Sequence, residues 1–343
     1  MRIAQIAPLI EAVPPKLYGG TERIVAYLTD ELVAMGHEVT LFASGDSVTT
    51  ARLEAGWPRA LRLDPSARDY IAPLITMLER LVPRAGEFDV VHLHCDYLAY
   101  PILTRAGVPF LATLHGRLDL PELRALYAAY SDVPVVSISD TQRQPLPEVG
   151  YLATVHHGLP EGLLRPGTGR GGYLAFLGRI SPEKAPDRAI RIAQRAGIKL
   201  KIAAKIDRVD REYFKAEIEP LLAQPHVEFI GEIGDCEKAE FLGEAAGLLF
   251  PIAWPEPFGL VMIEAMACGT PVIAMRGGSV AEVIEEGVTG FVVDDEAAAA
   301  RAAEQASRLD RGRIRTIFEQ RFTARRMAED YIHLYRHLIG HMA

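Results

Sequence analysis

Two glutamates stand eight positions apart in the stretch "WPEPFGLVMIEAMACGTPV", which runs from Trp254 to Val272. Glu264 lies among Leu260, Val261, Met262, Ile263, Ala265, Met266 and Ala267. A carboxylate buried there without partners costs several kcal/mol. Either Glu264 faces water, or hydroxyls or a positive charge come to meet it; a vicinal diol such as a ribose is one such partner. Glu256 precedes the expected helix start near Phe258, where a carboxylate is favourable, so capping and ligand binding both remain open for it.

A second constellation is "LGRISPEKAPDRAI". It sets Arg179 at the end of an expected strand and Lys184 near the start of the next helix. Two cations so placed can neutralise a diphosphate; a solvated, salt-bridged pair is the plainer alternative. At an effective dielectric of about 20, a charge pair at ~4 Å is worth roughly 4 kcal/mol before desolvation. No GxxxxGK[ST] segment occurs, so Lys184 is not a Walker lysine. In "PPKLYGGTERI", Gly19 and Gly20 permit close backbone approach and Thr21 is a candidate N-cap, so that helix start is open to two readings, a plain turn and cap or an anion site; it is not a GxGxxG fingerprint. "VHLHCD" puts His92 and His94 on one face of a strand, a spacing that could bind metal, yet no third ligand has a matching spacing. His115 in "TLHG" ends another strand and is open to two readings, a satisfied buried histidine or a site residue. No Asp-x-Asp occurs to hold a cation.

The elements that must position these residues alternate strand and helix. Ile3–Leu9 reads as a strand, Thr21–Met35 as a helix with Ile24, Leu28 and Leu32 in step, and Val39–Ala43 as the next strand, with Gly36 stopping the helix. "DVVHLH", "PFLATLH", "VPVVSIS" and "LATVHH" continue the strands, with helices near 71–81 and 97–104. Gly158–Gly172 lacks hydrophobic periodicity and reads as a linker. "YLAFLG", "KLKIAA", "VEFIG", "GLLFPI", "PVIAM" and "GFVV" start a second alternation, and an amphipathic helix spans 325–339. Short apolar strands between helices mean parallel sheets covered on both faces. The expectation is two doubly wound α/β domains, 1–158 and 171–322, with ligands in the cleft beyond the strand ends and a C-terminal amphipathic helix that must dock on one of them.

The chain's 343 residues suit two domains of about 150 residues. A net charge of −8 argues against nucleic acid and against an electrostatic hold on anionic membranes. Cys95, Cys236 and Cys268 are scattered, which suits reduced thiols and a cytoplasmic location. No secretory leader is evident, and no apolar run of about 18 residues exists to span a bilayer.

Taken together, these residues resemble the retaining glycosyltransferases of family 4, which have the two-Rossmann GT-B fold. The block "PEPFGLVMIEAMACGTPVIA" carries the likeness most specifically. "GGSVAEVIEEGVTGFVV" follows it, and "YGGTER", "DVVHLH", "TLHG" and "LGRISPEK" match in order. The resemblance implies transfer of a hexose, commonly from a UDP-sugar, to an acceptor hydroxyl, with no metal or other cofactor. It implies that Gly19 and Gly20 approach the diphosphate or donor sugar and that Arg179 and Lys184 hold the diphosphate. Backbone near Gly231 and Ile233 would receive the base, and Glu264 the ribose hydroxyls. Glu256 and the amides of Phe258, Gly259, Leu260 and Val261 would hold the sugar and phosphate, and His115 would sit beside the transferred sugar. Residues 323–343 would cross back onto the first domain. Ala185 stands where the family often has glycine, His157 where it has asparagine, and "IAAKID" lacks the usual glycine pair, so Lys205 is a further candidate contact. The acceptor loops, Val13–Tyr18 and Gly116–Leu123, have no readable code; a soluble acceptor is favoured over a lipid. The rival readings are a sugar-nucleotide epimerase of the same fold and a non-catalytic nucleotide-sugar-binding protein.

Overall fold

A computed structural model describes residues 1–16 and 19–342, the side chains of 341 and 342 excepted. Leu17 and Tyr18, which belong to the expected acceptor loop and the "YGGTER" motif, lie outside the described residues. The chain divides into two compact units, 1–158 with 324–343, and 159–323.

In the first unit seven parallel strands form one sheet: β1 (Arg2–Ile6), β2 (Glu38–Ser44), β3 (Arg52–Trp57), β4 (Val90–Leu93), β5 (Phe110–Leu114), β6 (Val135–Ser137) and β7 (Tyr151–Thr154). Their spatial order is β3-β2-β1-β4-β5-β6-β7. The order reverses between β1 and β4, the switch point at whose carboxyl ends such sheets bind ligands. Alternation along the strands sorts the two faces. Ala4, Ile6, Val91, Leu93, Ala112 and Leu114 enter one large apolar cluster. The opposite face carries Gln5, His92 and Thr113, all buried. The C-terminal helix Ala324–Met342 covers that polar stripe with Tyr331 and Tyr335.

The second unit holds β8 (Tyr173–Arg179), β9 (Lys199–Lys205), β10 (Val227–Gly231), β11 (Gly247–Phe250), β12 (Val272–Met275) and β13 (Gly290–Val293). They pair in parallel as β10-β9-β8-β11-β12-β13, and the switch point lies between β8 and β11. Leu174, Phe176, Leu200, Ile202, Leu249 and Ile273 build its core. Both units are therefore Rossmann-like doubly wound parallel sheets.

Several boundaries differ from the sequence reading. The first helix runs Gly20–Ala34, and its N-cap is Gly19 with no side-chain cap, so Thr21 lies inside the helix. Gly19 sits at a φ of +152° with no room for a side chain: a Cβ there would lie 2.9 Å from Pro15 Cβ. The helix carrying Glu264 starts at Leu260, two residues later than expected, because Gly259 caps it in the left-handed region. The stretch read as a linker is built into the second unit. The amides of Gly167, Gly169 and Gly171 bond to the carbonyls of Cys268, Gly243 and Glu244, and Leu159 and Leu164 are buried.

Candidate functional site

In the second unit, the loops after β8 and after β11 leave adjacent strand ends. A bond from the Ala253 amide to the Glu183 carbonyl (2.8 Å) ties them together. In the first loop the Ser181 carbonyl accepts from the amides of Lys184 (3.2 Å) and Ala185 (3.1 Å), a turn that aims Lys184 across at the second loop. Its ammonium forms a close ion pair with Glu256 Oε2. The Trp254 indole N–H donates to the same oxygen at 2.8 Å, and Lys184 Nζ lies 5.4 Å from the Trp254 ring centroid and 5.9 Å from that of Phe250. Glu256 is 8% exposed, so its charge is carried by these two donors. Gly278 backs the loop: with φ at +50° its Cα packs on the Glu256 backbone, and the Ser279 amide bonds to the Glu256 carbonyl at 3.0 Å. Lys184 and Glu256 are thus brought together from positions 72 apart.

Arg179 sits at the end of β8 but is already surrounded by acids. Its guanidinium lies 3.0 Å from Glu183, 3.8 Å from Asp207 and 3.5 Å from Asp210. Lys205 pairs with Asp207 at 3.0 Å. Two cations therefore face three carboxylates, and a diphosphate would compete with these acids for Arg179. Burial raises the Asp210 carboxyl, with Arg179 acting against the shift. The Ser181 hydroxyl, between the two cations in sequence, is buried with no hydrogen-bond partner among the described residues.

Glu264 is 5% exposed, and the cation that meets it is Lys238, whose Nζ lies 2.7 Å from Oε1. Lys238 projects from the helix Asp235–Gly243 and also pairs with Asp235 at 3.2 Å. Sequence reading missed Lys238; its place on a mixed polar helix 26 residues earlier carries no signal. Phe258 is buried, and the amides of Leu260 and Val261 belong to a helix start, where no earlier turn supplies an acceptor. Gly231 closes β10 with φ at +81°, and Ile233 follows in the loop before Gly234, half-buried.

In the first unit, the loop after β1 returns to Gly19 and Gly20. Glu22 lies against Gly19, 3.2 Å from where a Cβ would stand, and burial raises its carboxyl, with Glu11 adding to the shift. Arg62 meets Glu11 at 3.0 Å. His115 follows β5: its Nε2 bonds His94 Nδ1 at 2.9 Å, and its ring stacks on His157 at 5.2 Å and 19°. Burial holds the His115 imidazole down at about 3, and it lowers His92, His94 and His157 well below their ordinary value. Both ring nitrogens of His92 and both of His94 are engaged by protein groups, and no group of three or more potential metal ligands occurs among the described residues. No helix among the described residues is long and apolar enough to cross a membrane.

The family model described as "Glycosyltransferase Family 4" matches residues 18–144, and that described as "Glycosyl transferases group 1" matches 168–322. The chain belongs to glycosyltransferase family 4. Among curated members, the D-inositol 3-phosphate glycosyltransferase of Mycobacterium leprae (strain Br4923) is 29% identical over 255 residues, covering 61% of this chain and 57% of that protein. The chain thus spans little more than half the length of the curated relatives it matches. Among solved structures, AviGT4, a glycosyltransferase involved in avilamycin A biosynthesis, superposes with a TM-score of 0.75 at 24% identity, covering 99% of this chain and 98% of that one. Anabaena HepE in complex with UDP and glucose gives 0.74 at 18%, covering 97% and 99%. These likenesses assign the GT-B fold to this family 4 member.

Proposed function

We propose that this chain transfers a hexose from a UDP-sugar to an acceptor hydroxyl, with retention of anomeric configuration and without a divalent metal. The observation that carries the reading is the meeting of Lys184 and Glu256 at the switch point of the second sheet. Ligands of open parallel sheets bind there, and a cation and a carboxylate side by side offer one group for phosphate and one for sugar hydroxyls. In this reading Lys184 neutralises the leaving diphosphate, whose charge grows as the glycosidic bond breaks, and Arg179 assists once phosphate displaces its acids. Helix-start amides at Leu260 and Val261 add donors. Glu264 takes the ribose hydroxyls while Lys238 balances its charge. Backbone at Gly231 and Ile233 meets the base, Gly19 and Gly20 approach the donor, and His115 contacts a sugar hydroxyl.

The UDP assignment is supported by family habit and by HepE, a relative in fold described with UDP and glucose. Retention is supported by the resemblance alone. Calorimetric titration with UDP, GDP and ADP tests the base; tighter binding of GDP or ADP would reject UDP. Proton NMR of the product's anomeric coupling tests retention, and a β-linked product from an α-linked donor would reject it. Activity that chelator abolishes and magnesium restores would reject metal independence.

A further inference from the structure

The polar stripe of the first unit is one continuous chain of hydrogen bonds. His115 Nε2 meets His94 Nδ1 (2.9 Å), and His94 Nε2 meets Gln5 Oε1 (2.7 Å). Gln5 Nε2 donates to the Tyr335 hydroxyl (3.0 Å), which meets His92 Nδ1 (2.7 Å). His92 Nε2 meets Thr113 Oγ1 (2.7 Å), which meets the Tyr331 hydroxyl (2.8 Å). Gln5 sets the direction of the whole row. Its amide carbonyl can only accept, so His94 carries its proton on Nε2. A neutral His94 then has a bare Nδ1, which can only accept from His115 Nε2–H. On the other side, Tyr335 accepts from Gln5 and donates to His92, whose proton is left on Nε2 for Thr113. Every donor meets one acceptor, all pointing the same way, an arrangement in which each bond polarises the next.

His115 is where the row begins. Its Nδ1 is buried and has no partner among the described residues. We infer that Gln5 and His94 are positioning residues that hold His115 as its Nε2–H tautomer, so that Nδ1 is a bare acceptor awaiting a hydroxyl of the ligand. The reverse polarity would need Gln5 turned over and would leave a buried N–H on His115 without an acceptor, the rarer defect in folded proteins. Stacking against His157 holds the ring plane. Burial keeps the histidines of the row neutral, so the ring acts as an aimed hydrogen-bond acceptor at neutral pH. That the awaited hydroxyl belongs to a sugar rests on the transferase reading; the tautomer does not.

Long-range proton–nitrogen correlation NMR on the full chain, labelled with nitrogen-15 histidine and free of nucleotide, reads the tautomer directly, with His115→Gln supplying the assignment. The expected result is a protonated Nε2 and an unprotonated Nδ1. A protonated Nδ1, or an averaged pair of nitrogens, overturns the inference. Gln5→Leu should release His115 into averaging, and Gln5→Glu, whose oxygens can accept from both neighbours, should restore the single tautomer. A Gln5→Leu protein that keeps the tautomer would remove Gln5 from the role. Saturating UDP-glucose should shift Nδ1 in the hydrogen-bonded direction and UDP alone should not. A donor that is turned over without moving Nδ1 would overturn the hydroxyl contact and leave the transferase reading standing. A fixed tautomer in a protein that turns over no donor would overturn the transferase reading and leave the tautomer standing.

Discussion

Replacing Lys238 by methionine isolates what the cation beneath Glu264 does. The pair is 2.7 Å apart, with side-chain exposures of 12% and 7%. At an effective dielectric of about 20 their attraction is ~6 kcal/mol before desolvation, and desolvating both charges consumes much of that. The informative quantity is the cost of removing one partner. Lys238→Met strands a buried carboxylate, a change that costs about 3–5 kcal/mol. Glu264→Gln leaves Lys238 its second acid, Asp235 at 3.2 Å, so its cost should be nearer ~1–2 kcal/mol. The double variant should sit close to Glu264→Gln, revealing a coupling of about 3–5 kcal/mol, the whole cost of stranding the carboxylate. For a unit of this size, Lys238→Met then lowers the melting transition by roughly 10 °C. Nucleoside diphosphate binding should rank the variants the other way: Glu264→Gln loses ~1–3 kcal/mol of affinity because the diol loses its charged acceptor, and Lys238→Met keeps the carboxylate and loses less. Thermal unfolding and calorimetric titration of all three variants give both rankings. Equal melting shifts for the single variants would refute the electrostatic argument, and unchanged UDP affinity in Glu264→Gln would refute the ribose role.

Lys184→Ala and Arg179→Ala should lower kcat more than donor affinity, because charge on the diphosphate grows toward the transition state; steady-state kinetics showing a loss confined to donor affinity would mean ground-state binding only. Gly278→Ala should cost roughly 3 kcal/mol and displace Glu256, since a Cβ there overlaps the Glu256 backbone at a positive φ; wild-type melting and activity would contradict the packing described. Acid should destabilise the first unit. His92, His94, His115 and His157 have lowered folded values, so the unfolded chain binds protons that the folded chain refuses. Each histidine's contribution is whole above about 6.5 and is lost at up to ~1.4 kcal/mol per pH unit as pH falls below it. Denaturant titrations from pH 7.5 to 5 should show that slope, and stability flat across the range would refute neutral burial.

The alternation of apolar strands with helices was legible because a parallel sheet buried on both faces needs local runs such as "VVHL" and "GLLF", and local runs are what sequence displays. Glu264 was legible as an anomaly because its helix is apolar all round. Lys238 was not, since a lysine on a mixed helix is unremarkable until the fold sets it under a carboxylate. Arg179 was read as open either to a diphosphate or to salt bridges, and which acids it meets, Glu183, Asp207 and Asp210, comes from turns whose geometry no spacing specified. Gln5, His92 and Thr113 interrupt strands that should be apolar; the residues that explain them, Tyr331 and Tyr335, lie more than 200 positions away. Non-local pairing of that kind leaves no periodic trace.

The C-terminal helix also sets a timetable. Residues 1–158 leave the ribosome long before Ala324, and the whole second unit is synthesised between them. At 5–20 residues per second that interval lasts roughly ten to thirty seconds. During it the nascent first sheet has Gln5, His92 and Thr113 but neither tyrosine to close over them, so the first unit, although translated first, is the last to be completed. A nascent chain stalled after the second unit should therefore yield to protease in its first half and resist in its second.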